Sequence, residues 1–125
     1  MEIDRYIEFS TRFFEGLYQR RKNDTTVIQI LSNLYASSGN RKNSFRMDKR
    51  YARLVPLNPV AHYNLACDYA LAKRTPEAIK SLQAAITLGY DDMQWIRDDV
   101  DLDPIRNEAS FKKLITDYRS KISSK

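Results

Sequence analysis

Apolar residues recur every three to four positions along most of this 125-residue chain, the spacing that places them on one face of an α-helix. The pattern is clearest between residues 59 and 88, where it forms two successive stripes. The first stripe consists of His62, Leu65, Ala66 and Tyr69. The second consists of Ala78, Leu82, Ala85 and Ile86. The pattern therefore predicts two short amphipathic helices in succession.

A turn separates these two helices. Thr75 and Pro76 stand between the stripes as a predicted N-cap and first-turn proline, positions where a hydroxyl acceptor and a missing N–H both suit a helix start. The two helices should therefore form a hairpin. The offsets of the first stripe also occur 34 residues earlier, which indicates an internal repeat. The earlier stripe consists of Ile28, Leu31, Ser32 and Tyr35.

Further helices are predicted on both sides. The pattern predicts a helix over residues 3–21, in which Phe9 and Phe13 widen an apolar side made of Ile3, Ile7, Phe14, Leu17 and Tyr18. It also predicts a helix over residues 42–54, in which Ser44 and Asp48 interrupt the core-type positions. We expect this helix to pack through a shifted face made of Phe45, Met47, Tyr51, Ala52 and Leu54. A short helix that begins at Asp91 or Asp92 precedes a last helix over residues 109–122. We expect the short helix to be anchored by Met93, Trp95 and Ile96.

These spacings resemble the tetratricopeptide repeat, with His62-x2-Leu65-Ala66-x2-Tyr69 followed by Ala78-x3-Leu82. His62 replaces the tryptophan of that family, and Gly89-Tyr90 replaces its closing proline. The run GYDD, DLDPIR and FKKLI is similar to the C-terminal tail of small bacterial tetratricopeptide proteins. The resemblance covers about residues 13–115.

The resemblance implies an all-α fold, a short right-handed superhelix of antiparallel helix hairpins with about six or seven helices. It implies one domain over residues 1–125 and four segments within it. The segments are an N-terminal capping helix at 3–21, a degenerate repeat at 25–58, the clear repeat at 59–90 and a degenerate capping repeat at 91–125.

Composition agrees with a folded helical chain, because 42% of the residues are hydrophobic and 30% are charged. The single cysteine excludes an internal disulfide and a cysteine-based zinc site. The first residues lack the apolar core of a signal peptide, and no window is long enough to cross a bilayer. We expect a cytoplasmic protein without membrane contact.

Charge is distributed unevenly. Residues 41–53 carry six basic side chains and one acidic one, a local charge of +5, whereas residues 91–103 carry six aspartates and one arginine, a local charge of −5. The basic helix could contact nucleic acid by displacing counterions from phosphates. A solvated face, or a contact with the acidic end of another copy, is the favoured interpretation. The candidate electrostatic contacts are Arg46, Lys49, Arg50 and Arg53.

No arrangement typical of catalysis is present, so we expect no enzyme, no cofactor and no metal. His62 and Cys67 lie five residues apart and on different faces of a helix, and His62 should pack as a structural residue. Asp99 begins a D-x-D-x-D run typical of calcium loops, but Pro104 and Ser110 replace the expected glycine and glutamate. These acidic residues should cap short helices instead.

The family usually binds a peptide in a concave groove lined by the first helix of each hairpin. The groove residues that this implies are Gln29, Asn33, Ser37, Val60, Tyr63, Asn64, Cys67 and Leu71. Tyr63 and Asn64 are the strongest contact candidates. Some members of the family hold the C-terminal carboxylate of a peptide in a clamp of Lys, Asn and Arg side chains. Thr26 and Ile30 occupy corresponding positions here, so such a clamp is disfavoured. We therefore predict a non-catalytic protein-interaction module or scaffold that binds a peptide or helix of unknown identity. The alternatives are a homodimer or higher oligomer that uses complementary basic and acidic ends, and a nucleic-acid-binding accessory protein.

Overall fold

The computed structural model describes the backbone of residues 2–123 and the side chains of residues 2–121. Within residues 2–123 every regular element is helical, which confirms the predicted all-α class. The helices are α1 (Glu2–Arg20), α2 (Thr25–Ser37), α3 (Arg41–Leu54), α4 (Pro59–Leu71), α5 (Thr75–Thr87), α6 (Met93–Asp98), a 3₁₀ helix (Val100–Ile105) and α7 (Ala109–Ser123). The ends of the predicted 1–125 domain, residues 1, 124 and 125, lie outside the described residues.

The chain forms two compact units, Met1–Pro56 and Leu57–Lys125. The first unit contains α1 to α3, and the second contains α4 to α7 with the 3₁₀ helix. The border lies two residues before the predicted start of the clear repeat at residue 59. The single domain, its repeat boundaries and the superhelix stay predictions.

Side-chain oxygens of Asp24, Asn40, Asn58 and Asp92 cap the starts of four α-helices. Asp24 Oδ1 accepts hydrogen bonds from the backbone N–H groups of Thr26 and Val27 at 3.0 and 3.2 Å. Asn58 and Asp92 cap α4 and α6 in the same way. The predicted N-cap at Thr75 is wrong, because α5 already begins at Thr75 and the preceding residue makes no side-chain capping bond.

The hairpin turns close with the same hydrogen bonds in both units. The Asn40 N–H donates to the Tyr35 carbonyl at 2.8 Å, and 34 residues later the Arg74 N–H donates to the Tyr69 carbonyl at 2.9 Å. Such a bond reaches back around a helix end and requires a left-handed residue in the turn. Gly39 fills that position at φ 78°, whereas Lys73 fills it at φ 60°.

The core of the first unit combines apolar and polar side chains from α2 and α3. The buried apolar residues are Val27, Ile28, Leu31, Tyr35, Met47, Tyr51 and Ala52. Ser44 and Asp48 are also buried, although the sequence predicts packing through a shifted face of α3. The Ser32 hydroxyl donates to Asp48 Oδ1 at 2.5 Å and lies 3.4 Å from the Ser44 hydroxyl. This polar group is satisfied between the two helices.

The core of the second unit depends on small residues where α4 and α5 pack together. Ala66, Ala70, Ala78 and Ala85 are fully buried, and residues from the C-terminal half complete the cluster. These are Ile96, Leu102, Ile105, Phe111 and Leu114. Ile96 anchors α6 as predicted, but Trp95 is 48% exposed and does not. The expectation that Trp95 anchors the short helix is therefore wrong.

Candidate functional site

The predicted groove residues of α2 lie on the surface. Gln29, Asn33 and Ser37 are exposed and are spaced four residues apart, so they share one face of the helix. Tyr35, which faces the core, donates its hydroxyl hydrogen to Glu15 Oε2 at 2.6 Å and so connects α1 to α2. Gln29, Asn33 and Ser37 therefore form an exposed polar face of α2.

The predicted groove residues of α4 have different environments. Tyr63 is only 4% exposed and Cys67 is buried, because the segment around the 3₁₀ helix packs against this face of α4. Their assignment to an open groove is wrong. Val60 is exposed, and Asn64 and Leu71 are partly buried. Only the edge of the predicted α4 surface thus remains accessible.

Asp99 is the buried residue around which this part of the second unit is organised. Its Oδ2 accepts a hydrogen bond from the Tyr63 hydroxyl at 2.5 Å and another from the Cys67 thiol at 3.6 Å. Its Oδ1 accepts from the Asp101 backbone N–H at 3.0 Å, which caps the 3₁₀ helix and confirms the predicted capping role. The Tyr63 ring also stacks on Tyr90, with centroids 4.3 Å apart.

Arg106 holds the backbone that carries Asp99. Its two terminal nitrogens donate to the carbonyls of Ile96 and Asp99 at 3.0 and 2.7 Å, and its Nε donates to Asp103 Oδ1 at 3.1 Å. One guanidinium thus joins the end of α6 to the 3₁₀ helix. Asp99 is positioned by its own backbone as well as by its side-chain partners.

The chemistry of this buried group is that of a structural hydrogen-bond network. Burial raises the pKa of the Cys67 thiol, and the carboxylate of Asp99 raises it further. Burial and the hydrogen bond to Asp99 raise the pKa of Tyr63 in the same direction. Both groups therefore stay protonated at neutral pH, so Cys67 is a poor nucleophile.

One atom each from Cys67, Asp99 and Asp101 lie within 4.8 Å of one another, a spacing that could hold a metal ion. A metal would require the Cys67 thiolate and would displace the Tyr63 hydroxyl from Asp99. The thiol is protonated and the Asp99 oxygens already accept three hydrogen bonds. The side chains of Cys67, Asp99 and Asp101 therefore fit the capped start of a helix better than a metal site.

The basic residues of α3 divide into structural and exposed groups. Arg50 donates to the Lys22 carbonyl at 2.7 Å and to Asn23 Oδ1 at 2.8 Å, so it holds the turn between α1 and α2. Lys49 lies 4.2 Å from the centre of the Phe45 ring. Arg46 and Arg53 are both exposed. Their predicted role in an electrostatic contact stays a prediction.

The largest exposed apolar surface on α1 is formed by four residues, three of which the sequence pattern assigns to its packed side. Ile3, Tyr6, Phe9 and Phe13 are 73%, 73%, 70% and 56% exposed, and we call these four residues the α1 stripe. The helix has 19 residues, and none of them is classed as buried. The expectation that Ile3 packs, with Phe9 and Phe13 widening the packed face, is therefore wrong. Apolar residues lie around too much of α1 for all of them to pack on one side, and this excess is the sequence signal that indicates an exposed apolar surface.

A cavity of about 520 Å³ lies on the other side of α1, against the end of α2. Its lining residues include Asp4, Glu8, Arg12, Glu15 and Ser37. Arg12 pairs with Glu8 at 2.7 Å, and Glu15 accepts the hydrogen bond from the tyrosine of α2. Two of the three carboxylates are thus engaged within the unit.

No segment of residues 2–123 forms a helix with the length and apolar character needed to cross a membrane. No protein-family model matches the sequence. The chain is similar to a chloroplastic protein of Arabidopsis thaliana, with 34% identity over 59 residues. The match covers 47% of this chain and 18% of that protein. The chain thus spans less than a fifth of the length of this relative.

Proposed function

We propose that the chain is a non-catalytic protein-interaction module built from tetratricopeptide-like helix hairpins, and that the α1 stripe is its main contact surface. The repeat assignment is supported by the hydrogen bonds to Tyr35 and Tyr69, which recur after 34 residues in the same kind of turn. Small residues at Ala66, Ala78 and Ala85 suit the close packing of such hairpins.

The α1 stripe is the observation that carries this proposal. Three aromatic side chains and one isoleucine stand in water on a helix that contributes no buried residue. Contiguous apolar surface of this kind is uncommon on a monomer and marks sites where another macromolecule docks. Aromatic residues are also enriched at the centres of protein interfaces.

The test compares the partners captured by the natural chain and by the double variant Tyr6→Gln/Phe9→Gln. Glutamine favours helix, so α1 should persist while the apolar surface is lost. We expect the variant to lose the proteins that the natural chain captures, as measured by quantitative mass spectrometry. A second copy of the chain counts among the possible partners.

The matched control is Asp4→Gln/Glu8→Gln, which makes two changes to glutamine on the other side of α1, at exposed residues. This control should retain the captured proteins. If the stripe variant and the control capture the same set, the stripe is not the contact surface and the proposal fails.

A further inference from the structure

We propose that the α1 stripe pairs with the α1 stripe of a second copy of this chain, with the two helices antiparallel about a two-fold axis. This inference rests on the proposed function, because it names the partner of the same surface. A two-fold interface uses one surface twice, so the surface must complement itself. The positions of aromatic, small and charged residues along α1 meet that requirement.

Gly16 lies beside the α1 stripe and leaves a flat position on the helix. With 100° of rotation per residue, Gly16 lies within about 60° of Phe13 and about 20° of Phe9 around the helix axis. No atom lies within 4 Å of the place where a side chain at Gly16 would begin. Glycine inside a helix is destabilising relative to alanine. Nothing within the chain requires a small residue there, whereas a helix that approaches from outside would.

One antiparallel register matches the three aromatic positions of the α1 stripe. If the axis passes the midpoint of α1, residues whose numbers sum to 22 stand opposite each other. Phe9 then meets Phe13 of the second copy, and Tyr6 meets Gly16 of the second copy, so each large ring lies over a ring edge or an open backbone.

The same register pairs opposite charges at the two ends of the helix. Glu2 and Arg20 are exposed and lie at the same angle around α1, midway between Phe9 and Phe13. In the antiparallel arrangement Glu2 meets Arg20 of the second copy, at both ends of the interface. A parallel pair would instead place Glu2 beside Glu2 and Arg20 beside Arg20, which is repulsive.

The area is sufficient for a specific contact. Each aromatic side chain can bury about 150–250 Å². Covering the four exposed side chains of the α1 stripe in both copies therefore removes on the order of 1,000 Å² from water, which reaches the lower range for a specific interface. The area favours a reversible dimer of the whole chain rather than a permanent one.

Sedimentation equilibrium of the full chain at increasing concentration tests the inference. The natural chain should form a reversible dimer, and Tyr6→Gln/Phe9→Gln should raise the dimer dissociation constant at least about 100-fold. The control Asp4→Gln/Glu8→Gln should leave the constant within about threefold. A natural chain that stays monomeric at every concentration would overturn the inference.

Charge exchange tests the antiparallel register. Glu2→Arg and Arg20→Glu should each weaken the dimer several-fold, because each creates two repulsive pairs, and the double variant should restore it. Failure of the double variant to restore the dimer contradicts this register. Gly16→Leu should raise helix content, measured by circular dichroism, while it abolishes the dimer, and a dimer that survives Gly16→Leu also contradicts it.

The outcomes separate this inference from the proposed function. A monomeric chain whose α1 stripe still captures a different protein retains the interaction module and rejects the second copy. A dimer that is unaffected by the stripe variant rejects both the pairing and the stripe as the contact surface.

Discussion

At the scale of single residues, Asp99 shows how one buried carboxylate organises a segment. Its two oxygens accept hydrogen bonds from Tyr63, Cys67 and the Asp101 backbone, so the cost of burying the group is offset by three donors. Removing a donor should cost more than the bond itself contributes, because the buried acceptor is left unsatisfied.

Tyr63→Phe should therefore lower the free energy of unfolding by about 1–3 kcal/mol at neutral pH. The same variant should change the response to alkaline pH. The pKa of Tyr63 is raised in the fold by burial, so above about pH 10 the unfolded chain releases a proton that the native chain retains. The native state then binds more protons, and stability falls as pH rises.

The expected fall is about 1.4 kcal/mol per pH unit for each such group above its ordinary pKa. Cys67, whose pKa is raised mainly by burial, should begin to contribute near pH 9. Urea unfolding between pH 8 and 11 measures the slope, which should be shallower for Tyr63→Phe than for the natural chain. The control Tyr6→Phe changes a tyrosine that is 73% exposed and should keep the natural slope. Equal slopes in all three chains would contradict the assignment.

At the scale of elements, the polar group between α2 and α3 makes that hairpin depend on matched partners. Asp48 is buried and accepts a 2.5 Å hydrogen bond from Ser32, whose hydroxyl also lies near Ser44. A buried polar group that loses one member is worse than an apolar core of the same size. Replacing one of these three polar residues should therefore destabilise the hairpin more than replacing all three by apolar residues.

Asp48→Ala should lower the free energy of unfolding by about 1–3 kcal/mol, because it leaves the Ser32 hydroxyl without its acceptor and opens a cavity. The triple variant Ser32→Ala/Ser44→Ala/Asp48→Leu should recover most of that loss. Thermal and urea unfolding measure both. A triple variant less stable than Asp48→Ala would show that the polar group stabilises the hairpin beyond satisfying its own atoms.

At the scale of the whole molecule, the net charge is confined to one unit. Residues 1–56 carry eleven basic and six acidic side chains, a net +5, whereas residues 57–125 carry ten of each. The first unit therefore accounts for the whole net charge of the chain. The first unit also contains the α1 stripe. Two copies that associate through this unit therefore repel each other through their net positive charges. This repulsion favours an interface in which opposite charges are paired locally.

The sequence predicted the helices because their periodicity, caps and small residues are local properties. It correctly predicted that the short helix starts at Asp91 or Asp92 and that the acidic run including Asp99 caps a helix, because both roles depend on nearby residues. It failed for Tyr63, because that side chain is covered by a segment more than thirty residues later. It also failed for Trp95 and the α1 stripe, where only the packing neighbour decides which apolar sector is buried.

The turn after α4 contains a strained residue, and relieving that strain should raise the thermal stability of the chain. Lys73 adopts a left-handed backbone that Gly39 provides 34 residues earlier, and a residue with a side chain costs about 1 kcal/mol or more there. Lys73→Gly should remove the backbone strain of the native state, but it also increases the entropy of the unfolded chain. The first effect should be larger, so the free energy of unfolding should rise by roughly 0.5 kcal/mol and the melting temperature by a few degrees. Lys80→Gly, the same change inside α5, should lower it instead. Two identical substitutions seven residues apart should thus move the melting temperature in opposite directions.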